Sequence, residues 1–172
     1  MAASVIVDAG FLVALLSSRD VNHGWAAAQA ARLPPPWATC ETSVAEAFRL
    51  LGPAGARGLR ALLERRAATC TFQAGKEIAP LLKLMAKYTT MSFEDACLVR
   101  MTETMADPVV LTTGAELRSY RRLGRKTVPC VTPGQTAERV ADQAAGRRRE
   151  SDQEGKADLD DILQDVTRIF RD

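Results

Sequence analysis

Short apolar strand-like runs alternate with helical segments along this chain, which predicts an α/β fold with a parallel sheet covered by helices on both faces. Two runs carry the prediction. Ser4-Val5-Ile6-Val7 is β-branched, apolar and closed by an acid, Asp8. Val109-Val110-Leu111-Thr112 repeats that character after the break at Asp107-Pro108. A third observation is the helical periodicity of the segments between them.

The elements follow in order. Ala9–Leu16 is apolar and helical, directly after the first strand. His23–Arg32 is alanine-rich and helical, and Pro34-Pro35-Pro36 ends it. Trp37–Cys40 reads as a second strand. Residues 43–51 form a helix stopped by Gly52-Pro53, and residues 59–66 form another, with Leu59, Leu62 and Leu63 on one face. Residues 69–72 are a third strand. Residues 77–88 are helical, with the stripe Ile78, Leu81, Leu82 and Met85. Residues 92–105 are the strongest central helix. Residues 109–112 are the fourth strand, 115–122 a short basic helix, and 127–131 a fifth strand.

Pro133-Gly134 closes a domain spanning 1–134. Residues 135–156 are polar, include Arg147-Arg148-Arg149, and read as a linker. In 157–172, Leu159, Ile162, Leu163, Val166, Ile169 and Phe170 mark one face of a terminal amphipathic helix. Residues 150–172 hold eight acids against three bases, so this tail suits a fold back onto a basic groove, a second copy or another protein.

Composition narrows the classes. A length of 172 residues with 47% apolar content suits one domain with a full core. Residues 1–133 hold 16 Lys/Arg against 11 Asp/Glu, a net of +5 that suits a polyanionic partner. Aromatics are only 5%, which argues against binding by base stacking. The cysteines 40, 70, 97 and 130 lack C-x-x-C spacing and read as small buried hydrophobes. His23, the lone histidine, sits at a helix start after Asp20 and Asn22 and reads as part of a turn rather than a general base. No stretch approaches the roughly 20 apolar residues of a membrane span, and no basic n-region precedes the first run, so a cytoplasmic chain is expected.

Three acids stand at element ends: Asp8 after the first strand, and Glu46 and Asp95 near helix starts. Carboxylates gathered from three elements repel one another unless a cation lies between them. Mg²⁺ and Mn²⁺ prefer such hard oxygen donors, and an ion of this kind orients and acidifies water and neutralises charge at phosphorus. Capping is the competing explanation. Ser43-x-x-Glu46, Ser92-x-x-Asp95 and Thr113-x-x-Glu116 all fit the capping box, worth about 0.5–2 kcal/mol each. Asp8 follows a strand, so capping explains it less readily.

At these residues the chain resembles the PIN-domain nucleases, specifically toxin ribonucleases of the VapC type. The matching pieces are Val5-Ile6-Val7-Asp8, Thr42-Ser43-Val44-Ala45-Glu46, Met91-Ser92-Phe93-Glu94-Asp95-Ala96-Cys97-Leu98-Val99 and Val110-Leu111-Thr112-Thr113, followed by the basic Tyr120-Arg121-Arg122. The resemblance implies a PIN-like α/β/α sandwich of four or five parallel strands with an added helical tail. It also implies a Mg²⁺- or Mn²⁺-dependent endoribonuclease, acting as a homodimer with a small antitoxin partner. Asp8, Glu46 and Asp95 take the metal-ligand positions. The family's usual fourth acid falls on Gly114, and Glu116 could reach back to that place. Glu94 is expected to point away from Asp95, about 100 degrees round the helix. Thr112 and Thr113 offer hydroxyls, and Arg118, Arg121 and Arg122, with Arg125 and Lys126 beyond, offer phosphate contacts. The missing acid at Gly114 leaves a second reading, a catalytically weakened module that binds RNA or protein. A small-molecule α/β domain is disfavoured, because no G-x-G-x-x-G or P-loop is present.

Overall fold

The computed structural model describes residues 4–134. The linker and terminal helix expected over 135–172 lie outside the described residues. Five strands form a parallel sheet: β1 (Ser4–Val7), β2 (Trp37–Cys40), β3 (Ala68–Phe72), β4 (Pro108–Leu111) and β7 (Cys130–Val131), in the order β3-β2-β1-β4-β7. Parallel strands need long crossovers, and the helices supply them. These are α1 (Ala9–Leu16), α2 (His23–Arg32), α3 (Glu41–Glu64), α4 (Ile78–Lys87) and α5 (Phe93–Thr104).

Strand alternation divides the core in two. Val5, Val7, Val109 and Leu111 face one layer, where Phe11 of α1 packs edge-on against Trp25 and Trp37 at centroid distances of 5.9 and 5.6 Å. Ile6, Ala38 and Val110 face the other, against Leu98, Val99 and Met101 of α5. The sheet is thus buried on both faces, and its strands read as continuous apolar runs for that reason.

Several expectations change in detail. The helices expected over 43–51 and 59–66 are one element interrupted at Gly52, whose φ of 62° breaks the helical path just before Pro53. The expected fifth strand shrinks to Cys130–Val131, and the expected basic helix over 115–122 does not form. In its place a 3₁₀ turn (Glu116–Ser119) leads into a hairpin of β5 (Arg121–Arg122) and β6 (Lys126–Thr127). The three-residue loop between them, Leu123-Gly124-Arg125, turns through positive φ at Leu123 and Gly124. On α4 only Leu81 of the stripe is fully buried; Ile78 and Leu82 are about half exposed, because the helix lies at the outer edge. Among the cysteines, Cys40 and Cys97 are buried, Cys40 beside the Thr42 and Ser43 hydroxyls at 3.0 and 3.3 Å, whereas Cys130 is half-buried and Cys70 is exposed on edge strand β3. His23 reaches back from the start of α2 to the Ala14 carbonyl, with Nδ1 at 2.9 Å.

Candidate active site

The chain runs outward from β1 through β2 and β3, then returns to β4 on the opposite side of β1. The carboxyl ends of β1 and β4 therefore flank the topological switch point, where open α/β sheets form their binding crevice. Asp8 stands there. It is the N-cap of α1 and accepts from the Phe11 amide at 2.7 Å. Capping and a site role are compatible, since the same helix end favours negative charge.

Burial pushes the Asp8 carboxyl up to about 7, against hydrogen bonds from Thr112 and the Phe11 amide that lower it; the charges of Glu94 and Asp95 add to the rise. Asp8 thus shares a field with two acids of α5's first turn. Asp95 is locked in a complete capping box: its amide donates to Ser92 Oγ at 3.0 Å, and its carboxylate accepts from the Ser92 amide at 3.1 Å. Glu94 is the residue that sequence reasoning aimed elsewhere. Its Oε1 accepts from Ser43 Oγ at 2.7 Å and from the Ala9 amide at 3.2 Å, so it lies beside Asp8. The turn angle of 100 degrees misleads at a helix start, where Cα–Cβ bonds lean beyond the N-terminus and neighbouring side chains reach the same space.

Ser43 is correspondingly not a cap. The helix begins two residues earlier, at Glu41, which leaves the Ser43 hydroxyl for Glu94. Glu46 lies on the exposed side of α3, held below the usual carboxylate range by Arg49, whose Nε donates to Oε2 at 2.7 Å. Among the described residues no three Asp, Glu, His or Cys side chains stand close enough to hold one ion together. Asp8, Glu46 and Asp95 therefore do not form one ligand set as the side chains stand: Glu46 is paired with Arg49, and Asp95 accepts from the Ser92 amide.

Beyond β4, Thr112 is buried; its hydroxyl accepts from the Gly114 amide at 3.1 Å and lies near enough to Asp8 to lower its carboxyl. The Glu116 carboxylate folds back over Gly114, filling the space that a side chain there would take. Thr113 does not cap the following turn; its hydroxyl lies against Gly10. Tyr120, missed by sequence reasoning, is buried, and its hydroxyl is raised first by that burial and also by the nearby charges of Asp95 and Glu116. A tyrosine within the basic Tyr120-Arg121-Arg122 gave no separate signal for this position. The crevice is thus rimmed by Asp8, Glu94, Asp95 and Glu116.

The basic residues are partly committed. Arg118 bonds the Thr132 hydroxyl, Arg121 the carbonyls of Arg118 and Tyr120, and Arg122 the Thr102 carbonyl. Arg118 and Arg122 close the segment after β4 onto the body, and Arg121 braces the turn itself. Arg125 and Lys126, at the hairpin tip, are exposed.

These features define a PIN-like α/β/α sandwich with acids at its switch point. In three dimensions the chain is similar to the crystal structure of Mycobacterium tuberculosis VapC20, described as a sarcin–ricin loop cleaving toxin, with a TM-score of 0.52 and 22% sequence identity over 62% of this chain and 87% of that one. No protein-family model and no curated protein sequence matches the chain.

Proposed function

We propose that this protein is an endoribonuclease that hydrolyses RNA phosphodiester bonds with the help of Mg²⁺ or Mn²⁺. The observation that carries the reading is the place of Asp8: at the carboxyl end of the central strand, capping α1, and in the field of two acids from α5. The fold shared with VapC20 supports it.

The donor chemistry fits a hard divalent cation. Every group at the crevice offers oxygen, with no imidazole or thiolate among them. Asp8 and Asp95 would hold the ion, and Glu46 would join on leaving Arg49. Such an ion supplies a Lewis acid beside the scissile phosphate. The chain's own contributions are distinct. The Thr112 hydroxyl favours the charged form of Asp8. Glu116 supplies negative charge at the place where Gly114 has none. Arg125 and Lys126 attract the RNA backbone, while Arg118, Arg121 and Arg122 shape the wall and keep some donors for phosphate.

In this reading residues 1–134 are the nuclease unit, acting in the cytoplasm as a homodimer with a small antitoxin protein as its partner. Residues 135–156 would serve as its linker to the terminal segment 157–172, both outside the described residues. No helix of the described residues is long and apolar enough to cross a membrane.

A second reading, a weakened module that binds RNA or protein without cutting, is favoured by the side-chain commitments of Glu46 and Asp95 and by Gly114. Incubating the full chain with total RNA in Mn²⁺, Mg²⁺ or chelator separates the two. Metal-dependent fragments support the nuclease; retention of RNA without fragments supports the second reading.

A further inference from the structure

We infer that Glu94 is a positioning residue, whose single oxygen Oε1 ties together the first turns of the three helices that carry Asp8, Glu46 and Asp95. The geometry is direct. Oε1 accepts from the Ala9 amide at 3.2 Å, and Ala9 opens α1 behind its cap Asp8. The same oxygen accepts from Ser43 Oγ at 2.7 Å, in the first turn of α3 and three residues before Glu46. Glu94 itself stands next to Asp95 in the first turn of α5.

Each partner has a reason to seek this oxygen. The amide of a helix's first residue has no acceptor within its own helix. Ser43 is fully buried, so its hydroxyl needs a partner, and a charged acceptor makes the stronger bond. The end of α1 also favours negative charge, which offsets the cost of a second carboxylate beside Asp8. Remove the oxygen and the Ala9 amide loses its acceptor, Ser43 keeps only the Cys40 thiol at 3.3 Å, and three helix starts lose their common link. Carboxylates set by those starts then drift, and ligand geometry tolerates little drift.

The test uses the full chain as wild type, Glu94→Gln, Glu94→Ala and Ser43→Ala, with two readouts. One is hydrogen exchange of the Ala9 amide by NMR; the other is Mn²⁺ affinity by paramagnetic resonance, which alone rests on the metal-dependent reading proposed above. Glu94→Ala is expected to speed exchange at Ala9 and weaken Mn²⁺ binding about 10- to 100-fold, the usual penalty for losing a group that orients metal ligands. Glu94→Gln keeps an acceptor oxygen, so both readouts should return close to wild type. Ser43→Ala, which cuts one strand of the tie, should fall between.

A Glu94→Gln protein as impaired as Glu94→Ala overturns the proposal, since charge rather than the bridging oxygen would then matter. Wild-type exchange at Ala9 in Glu94→Ala also overturns it. If wild type itself binds no Mn²⁺, the metal-dependent reading fails, and exchange at Ala9 still decides the tie. If Glu94→Ala does not fold, Glu94→Gln and Ser43→Ala decide it: a near-native Glu94→Gln with an intermediate Ser43→Ala supports it, and a Ser43→Ala identical to wild type overturns it.

Discussion

The carboxylate of Glu116 occupies the space that a side chain on Gly114 would fill. A glycine there removes one acid and gives a longer one two residues on room to reach back. The two positions should therefore substitute for each other. Glu116→Ala is expected to slow Mn²⁺-dependent RNA cleavage by about tenfold or more, on the scale of losing a group near a metal. Adding Gly114→Asp to that variant should restore much of the rate, a non-additivity expected of residues sharing one space. Equal rates for wild type and Glu116→Ala would contradict the substitution.

Asp8 makes stability pH-dependent. Its carboxyl titrates near 7 in the folded protein, raised first by burial. Between about 4 and 7 the folded chain keeps a proton that the unfolded chain releases. The associated stability is full in acid and is lost as pH rises through 7. In metal-free buffer Asp8→Asn stays neutral throughout and can still cap the Phe11 amide. It should melt above wild type at pH 8.5, by about 5 °C, with the gap closing toward pH 5. A gap independent of pH would count against a raised Asp8.

Gly10 and Gly24 give a paired test of backbone approach. A Cβ on Gly10 would run into the Thr113 hydroxyl and stand 3.5 Å from Asp8 Oδ1, whereas one on Gly24 meets open space. Gly10→Ala should cost about 1–3 kcal/mol by urea denaturation. Gly24→Ala, in a helix with room, should be neutral or stabilising by up to about 1 kcal/mol. The reverse order would show that β1 and β4 do not close on Asp8 as described.

Arg49 competes for Glu46. The pair is exposed and screened by solvent, so Arg49→Ala should leave the melting temperature essentially unchanged. Freed from the guanidinium, Glu46 becomes available to a cation, and Mn²⁺ should bind several-fold tighter by calorimetry. Unchanged or weaker binding would place Glu46 outside the metal's reach.

Much of the fold was legible because buried strands and amphipathic helices write strong patterns. β1, β2 and β4 fall within one residue of their expected bounds, and the Gly52-Pro53 stop is the break in α3. The region after β4 was not. Basic residues in 115–122 suggested a helix, yet tertiary bonds from Arg118 and Arg122, with local ones from Arg121 to the carbonyls just before it, hold the segment as a turn and hairpin. At the site, Asp8 was readable because it closes an apolar strand, although its second task, capping α1 through the Phe11 amide, was not expected of a residue that follows a strand. Glu94 was not, because mid-helix angles do not describe a first turn whose side chains lean past the end. The link from Ser43 to Glu94 spans 51 residues and leaves no local mark.

The most direct measurement is single-turnover cleavage of one structured RNA by wild type and Asp8→Asn, in Mn²⁺ and in chelator. We expect wild type to cut only with the metal, and Asp8→Asn, folded and still able to retain the RNA, to lose that cutting by a factor of about 10³ or more, as removal of a central catalytic group does. Equal cleavage by both proteins, or cleavage that survives chelation, would contradict a metal-dependent nuclease centred on Asp8.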